Sequence, residues 1–105
     1  MVTTTKLQKD AAKTAVVLRK NGWCQGRYHD GSGAHCIYGA MAHAMYPKKD
    51  EFEAVRLAES SLLGRELERR IDPKDEYVSL VYYNDSIISS PRPLLDVLDA
   101  IAEGN

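Results

Sequence analysis

Five side chains of the types that bind soft metals lie within twenty residues of this chain: Cys24, His29, His35, Cys36 and His43. Zinc sites are built from tetrahedral sets of such cysteine and histidine ligands. The successive separations of five, six, one and seven residues match neither a zinc finger nor a zinc ribbon. We therefore expect no bound metal and no other cofactor, and a small zinc-binding module is the alternative.

Cys36 could also act as a nucleophile. A thiol near a helix N-terminus ionises more readily, because the helix dipole stabilises the thiolate. His35, or else His29 or His43, would then serve as the base, and Asp85 would orient it. A free cysteine more often packs as a small apolar residue. We therefore expect no catalytic residue, and an enzyme that uses Cys36, His35 and Asp85 is the alternative.

The segments before these side chains have the pattern of a helix followed by a turn-rich loop. Thr5 and Gln8 fit a capping box and predict a helix over residues 5–21. Residues 22–34 contain an Asp-Gly turn signal and predict a short hairpin or an irregular insert. Ser32 is expected to cap a second helix.

The segments after them are also helical in pattern. Asp50 predicts the start of a third helix, whose buried stripe would include Phe52 and Leu62. A further helix is predicted over residues 73–83, and a last one after a loop at residues 86–90. The chain is therefore expected to be mainly all-α: a compact bundle of about five helices in a single domain over residues 1–105.

Composition excludes several classes of protein. A hydrophobic fraction of 44% and a charged fraction of 28% are ordinary for a globular protein. The net charge of −1 provides no broad basic surface for direct contact with nucleic acid. No apolar run approaches the roughly 20 residues that span a bilayer, so no membrane association is expected. Two cysteines are too few for a disulfide framework, which indicates the reducing cytoplasm.

Three short motifs are the most specific features of the sequence. They are Gly-Trp-Cys-Gln-Gly at residues 22–26, Cys-Ile-Tyr-Gly-Ala at residues 36–40 and Tyr-Asn-Asp at residues 83–85. They resemble the Gly-Trp-x-Gln-Gly, Cys-x-x-Gly-Ala and Trp-Asn-Asp motifs of an uncharacterised family of small actinobacterial and mycobacteriophage proteins. Tyr83 departs from the tryptophan of that family. The resemblance implies a phage-encoded or phage-derived protein and no particular reaction, because the family has no established activity.

Each motif also has a structural interpretation. A tryptophan after the first helix is expected to anchor the core, and an Asn-Asp pair commonly caps a helix or closes a turn. Small residues in the second motif suit a close helix crossing. The residues predicted to have such structural roles are Trp23, Gln25, Gly26, Gly39, Asn84 and Asp85.

The function predicted from these observations is non-catalytic: a small accessory protein in the cytoplasm that binds another protein, with a host protein as a candidate partner. Binding energy concentrates in aromatic and arginine side chains. A second alternative is an inhibitor of DNA replication, because residues 77–82 loosely resemble a peptide that binds bacterial sliding clamps. The oligomeric state is left open. The tentative binding residues are Tyr28, Tyr46, Tyr82, Tyr83 and Arg92.

Overall fold

The computed structural model describes residues 4–72 and 79–105. These residues contain six α-helices and one π-helical turn. These residues contain no strand, so the prediction of an all-α fold is confirmed. None of their helices is long and apolar enough to cross a membrane. In chain order the elements are α1 (Lys6–Asn21), α2 (Ile37–Met45), α3 (Glu51–Ser60), α4 (Leu62–Ile71), α5 (Leu80–Tyr82), the π turn (Tyr83–Ile87) and α6 (Arg92–Ala102).

Helix α1 begins and ends where the local sequence predicts. The Thr5 hydroxyl accepts a hydrogen bond from the Gln8 N–H at 3.1 Å, and the Gln8 side chain accepts one from the Thr5 N–H at 2.8 Å. At the other end Gly22 has a φ of +95°, and its N–H donates to the Leu18 carbonyl at 3.0 Å. The capping box is confirmed, and such N-caps contribute about 1 kcal/mol.

Helix α2 begins later than predicted, because Cys36 and not Ser32 is its N-cap. The Cys36 sulfur accepts a hydrogen bond from the Gly39 N–H at 3.4 Å. Ser32 is instead part of a turn in which one carboxylate oxygen of Asp30 accepts from the Ser32 hydroxyl (2.6 Å) and N–H (2.8 Å), and from the Ala34 N–H (3.1 Å). Asp side chains stabilise such turns in preference to a helix, so Ser32 is not available as a cap.

Residues 22–34 form an irregular insert, one of the two forms predicted for them. Trp23 and His29 each form a single backbone bridge with His35, the first parallel and the second antiparallel. Both bridges are isolated and neither continues as a ladder of paired residues, so no β-hairpin is formed by this segment.

The core is formed where α1 packs against both α2 and α6, and α2 also packs against α3. The Tyr38 hydroxyl donates to a Glu68 carboxylate oxygen at 2.9 Å and joins α2 to α4, while Arg19 of α1 pairs with Asp99 of α6. Apolar side chains that are fully or almost fully buried include Ala11, Ala15, Leu18, Ile37, Met41, Val55, Leu63, Leu67, Leu80, Leu94, Leu98 and Ile101.

Phe52 and Leu62 were predicted in a buried stripe, and this prediction is wrong. Their exposed fractions are 71% and 67%. At about 100° per residue, Phe52 lies roughly 200° around the helix from Ala54, which is on the buried face. Ser61 ends α3 and caps α4, so the periodicity of α3 does not continue to Leu62.

Residues 73–78 of the helix predicted over 73–83 lie outside the described residues. The described part begins with Ser79, whose hydroxyl accepts from the Tyr82 N–H at 3.1 Å, and continues as α5 and the π turn. The loop predicted at residues 86–90 therefore starts later, because residues 86 and 87 belong to the π turn. Of the described part of residues 77–82, Ser79 is an extended N-cap and Leu80–Tyr82 is helical, with Leu80 fully buried.

Candidate functional site

Asn84 joins the three motifs. It lies in the π turn with its side chain fully buried, although it is polar. Its carbonyl oxygen accepts from the Trp23 indole N–H at 2.7 Å and from the Ile37 N–H at 3.0 Å. Its amide nitrogen donates to the Cys24 carbonyl at 3.2 Å and to a carboxylate oxygen of Asp85 at 2.7 Å. Every hydrogen-bonding position of this amide is therefore used, as a buried polar group requires.

Gln25 and Gly26 attach the loop to the same turn. The Gln25 amide nitrogen lies 3.1, 3.2 and 3.0 Å from the backbone carbonyl oxygens of Asn84, Asp85 and Ile88. The Gly26 N–H donates to the Asp85 carboxylate at 3.0 Å. The π turn leaves these carbonyls free for an external donor, because it does not continue the regular i to i−4 ladder. Residues 23–26 and 84–85 thus form one connected network.

The loop also lies directly on α2 at Gly39. A β-carbon built at Gly39 would be 1.8 Å from the Tyr28 carbonyl oxygen, so no larger residue fits without movement of the loop. The same carbonyl accepts a hydrogen bond from the Cys36 N–H at 3.1 Å. Gly39 was predicted to permit a close helix crossing. The close approach at this position is made by the loop backbone.

The Cys36 thiol is buried beneath this loop, with an exposed fraction of 6% for the residue. Burial raises its pKa to about 11, although hydrogen bonds from the Gly39 and Tyr38 backbone act in the opposite direction. The lowering of this pKa by the helix N-terminus, on which the enzyme alternative depends, is outweighed by desolvation. At neutral pH the thiol is protonated and a poor nucleophile. Burial also raises the pKa of the Cys24 thiol, and neither cysteine forms a disulfide in the structure.

Three histidines meet beside the loop. The ring centroids of His35 and His43 are 5.1 Å apart, and those of His29 and His35 are 6.4 Å apart. His29 Nε2 lies 2.6 Å from a carboxylate oxygen of Glu51. They line a cavity of about 150 Å³, in which Nδ1 of His35 is buried without a hydrogen-bond partner among the described residues. Burial, followed by the nearby His43, lowers the pKa of His35.

These histidines do not form a metal site by their geometry. Within the part of the chain that the structure describes, no three His, Cys, Asp or Glu side chains are placed so that they could hold an ion. The adjacent His35 and Cys36 were expected on a helix, and they instead precede α2. The His35 ring lies against His29 and His43, while the Cys36 sulfur points to the start of α2.

A cleft of about 410 Å³ lies between the loop, the start of α3 and the segment of α5 and the π turn. Phe52 and Val81 line it and are 71% and 40% exposed. Two acidic side chains in its lining are engaged: Glu51 with His29, and Asp85 with Asn84 and Gly26. The full lining, called the cleft below, is Gly26, Arg27, Tyr28, His29, Cys36, Glu51, Phe52, Val81, Asn84 and Asp85.

Of the five tentative binding residues, Tyr28 lines the cleft. Tyr28, Tyr46 and Tyr83 are partly buried and pack against the core. Tyr82 is 52% exposed, and Arg92 lies on α6 at 4.0 Å from Asp96. These side chains do not all line one cavity of the described structure.

Sequence reasoning missed Phe52, Arg27 and Val81 as exposed lining of the cleft. Phe52 carried a usable signal: the one phenylalanine of the chain stands between Glu51 and Glu53. Flanking acids favour the solvent side of a helix and could have indicated that this ring is exposed.

The chain belongs to the Family of unknown function (DUF6197), which matches residues 2–104. No curated protein matches it. No solved structure matches it either.

Proposed function

We propose that this chain is a small non-catalytic protein that binds another protein through the cleft. The observation that carries the proposal is an open cavity of about 410 Å³ beside the exposed side chains of Phe52 and Val81. Ligand pockets have volumes of about 300–1,000 Å³. Covering the Phe52 ring by a partner would contribute roughly 2–3 kcal/mol to binding.

A binding role is favoured over catalysis by the chemistry of the lining. The one thiol in the cleft, Cys36, has its pKa raised to about 11 by burial. Asp85 holds the Gly26 N–H and the Asn84 amide, so its contacts orient the loop and not a catalytic base. The network fixes the walls of the cleft in one arrangement, and this lowers the entropy lost on binding.

We propose further that the chain is phage-encoded or phage-derived. Its partner would then be a host protein, and it would act in the host cytoplasm. The support for this finer proposal is the resemblance of the three motifs to those of actinobacterial and mycobacteriophage proteins. The two free cysteines suit a reducing compartment.

Affinity capture from an actinobacterial lysate, compared quantitatively between bait variants, tests the proposal. Phe52→Ser removes the exposed ring without touching the core, and we expect it to lower recovery of a specific partner at least tenfold. Val16→Ser is the matched control, because Val16 is 57% exposed on α1 and does not line the cleft. It should recover the partner as the parent chain does.

Cys36→Ser separates binding from catalysis. A binding protein should keep its partner with this variant, since the sulfur is replaced by a similar oxygen at the helix cap. Circular dichroism of each bait excludes unfolding as the cause of lost capture. The proposal fails if no captured protein depends on Phe52, or if folded Cys36→Ser loses the biological effect while Phe52→Ser keeps it.

A further inference from the structure

The charged groups around the cleft differ in whether they already have partners. Glu51 is paired with His29 at 2.6 Å. One carboxylate oxygen of Asp85 accepts from the Gly26 N–H at 3.0 Å and from the Asn84 amide at 2.7 Å. Each carboxylate thus has a hydrogen-bond partner within the protein, which fixes its position and leaves its negative charge in place.

Arg27 is different. It is exposed and lines the cleft, and among the described residues its guanidinium forms no ion pair. It lies near enough to Asp30 to contribute to the lowered pKa of that carboxyl, but Asp30 is engaged by the Ser32 turn. By contrast, Arg19 and Arg69 each hold a carboxylate. A guanidinium offers a planar fork of donors that fits a carboxylate through two hydrogen bonds.

Charge and apolar surface therefore coincide at one place. The cleft presents Arg27, which has no ion pair within the described part of the chain, and exposed apolar surface in Phe52 and Val81. We infer that it takes a short segment of a partner protein in which an apolar side chain stands beside an aspartate or glutamate. The apolar side chain packs against Phe52 and Val81, and the carboxylate binds Arg27. This inference rests on the proposed function and specifies the chemistry of the partner.

Panning a random peptide library on the purified full-length chain tests this chemistry without knowledge of the partner. Peptides enriched by the parent chain should carry an acidic residue within a few positions of a large apolar one. A synthetic peptide of the enriched sequence is then titrated against variants by isothermal calorimetry. We expect Arg27→Gln to weaken binding about tenfold and Arg27→Glu more, because a charge-assisted contact is lost and then reversed.

Arg65→Gln is the matched control, since Arg65 is exposed on α4 and does not line the cleft. It should leave the affinity unchanged. A peptide whose acidic residue is replaced by lysine should bind Arg27→Glu better than it binds the parent chain. This reversal would not follow from general damage to the fold.

The outcomes separate the two proposals. If the enriched peptides are neutral or basic and do not bind Phe52→Ser, the inference is overturned and the proposed function stands. An equal loss of peptide affinity with Arg65→Gln and with Arg27→Gln would also overturn the inference, since the loss would then reflect the net charge of the chain. No enrichment above the Phe52→Ser bait would contradict both.

Discussion

Truncation of Asn84 should be among the most destabilising changes outside the apolar core. Asn84→Ala removes the acceptor of two donors, the Ile37 N–H and the Trp23 indole N–H. A buried donor left without a partner costs about 1–3 kcal/mol. Ile37 is fully buried and Trp23 only partly, so we expect a total loss of about 3–5 kcal/mol once the small cavity is included.

Urea denaturation measures this loss, with Trp23 fluorescence and circular dichroism as independent probes. Trp23 is the one tryptophan of the chain, so its emission reports the network directly. Because small domains have a stability of about 5–15 kcal/mol, the variant should remain folded in buffer with a much lower denaturation midpoint. Ser86→Ala, at an exposed position of the same π turn, is the control and should change stability by under about 0.5 kcal/mol.

Asn84→Asp tests the assignment of the amide. It keeps the two acceptor bonds but places a carboxylate oxygen where the amide donated to Asp85 at 2.7 Å. Repulsion between the two carboxylates should raise the pKa of the introduced acid in the folded state. Its destabilisation should therefore be greatest above that raised pKa and should diminish as the pH falls through it, whereas the deficit of Asn84→Ala should not. A loss under about 1 kcal/mol for Asn84→Ala would refute the network as a source of stability.

Two further predictions concern the loop on α2 and the histidines beneath it. Gly39→Ala should lower the free energy of unfolding by at least about 2 kcal/mol, because its β-carbon would meet a loop carbonyl oxygen at 1.8 Å. Gly31→Ala has open space around its β-carbon and is the control. In the same urea titration it should change the free energy of unfolding by no more than about 1 kcal/mol. Since burial lowers the pKa of His35 in the folded state, the unfolded chain takes up its proton first as the pH falls from about 6.5, and stability should fall with it. His35→Gln should flatten this dependence between pH 7 and pH 5 more than His43→Gln does, and an unchanged slope in thermal melts would contradict the burial of the ring.

Local signals in the sequence predicted the helices well, because caps act between residues only two or three positions apart. The Thr5–Gln8 box and the Asp50 cap are of this kind. The prediction that Ser32 caps α2 failed for a reason that is also local, because the Ser32 hydroxyl donates to the Asp30 carboxylate in a turn. The prediction for Phe52 failed because a few apolar residues do not determine which side of the helix is buried.

The candidate site could be predicted only in part. The motif residues were recognised as structural, but the hydrogen bonds between different motifs join positions 47 to 61 apart in the chain, and no periodic pattern records such a partner. The raised pKa of Cys36 could not be predicted, because the burial that raises it depends on the loop above this residue. The absence of an ion pair at Arg27 among the residues that the structure describes likewise depends on where the loop is placed, which no local pattern records.

The packing of α1 against α6 has a consequence for the biogenesis of the protein. Arg19 and Asp99, which join the two helices, are 80 positions apart. At synthesis rates of about 5–20 residues per second, α1 leaves the ribosome roughly 4–16 seconds before α6 can cover it. During this interval the apolar face of α1, which includes Ala15 and Leu18, can pack against α2 and α4 but not yet against α6. Part of this apolar face therefore stays uncovered until α6 has been made, and the packing of α1 is completed only after translation of residue 102.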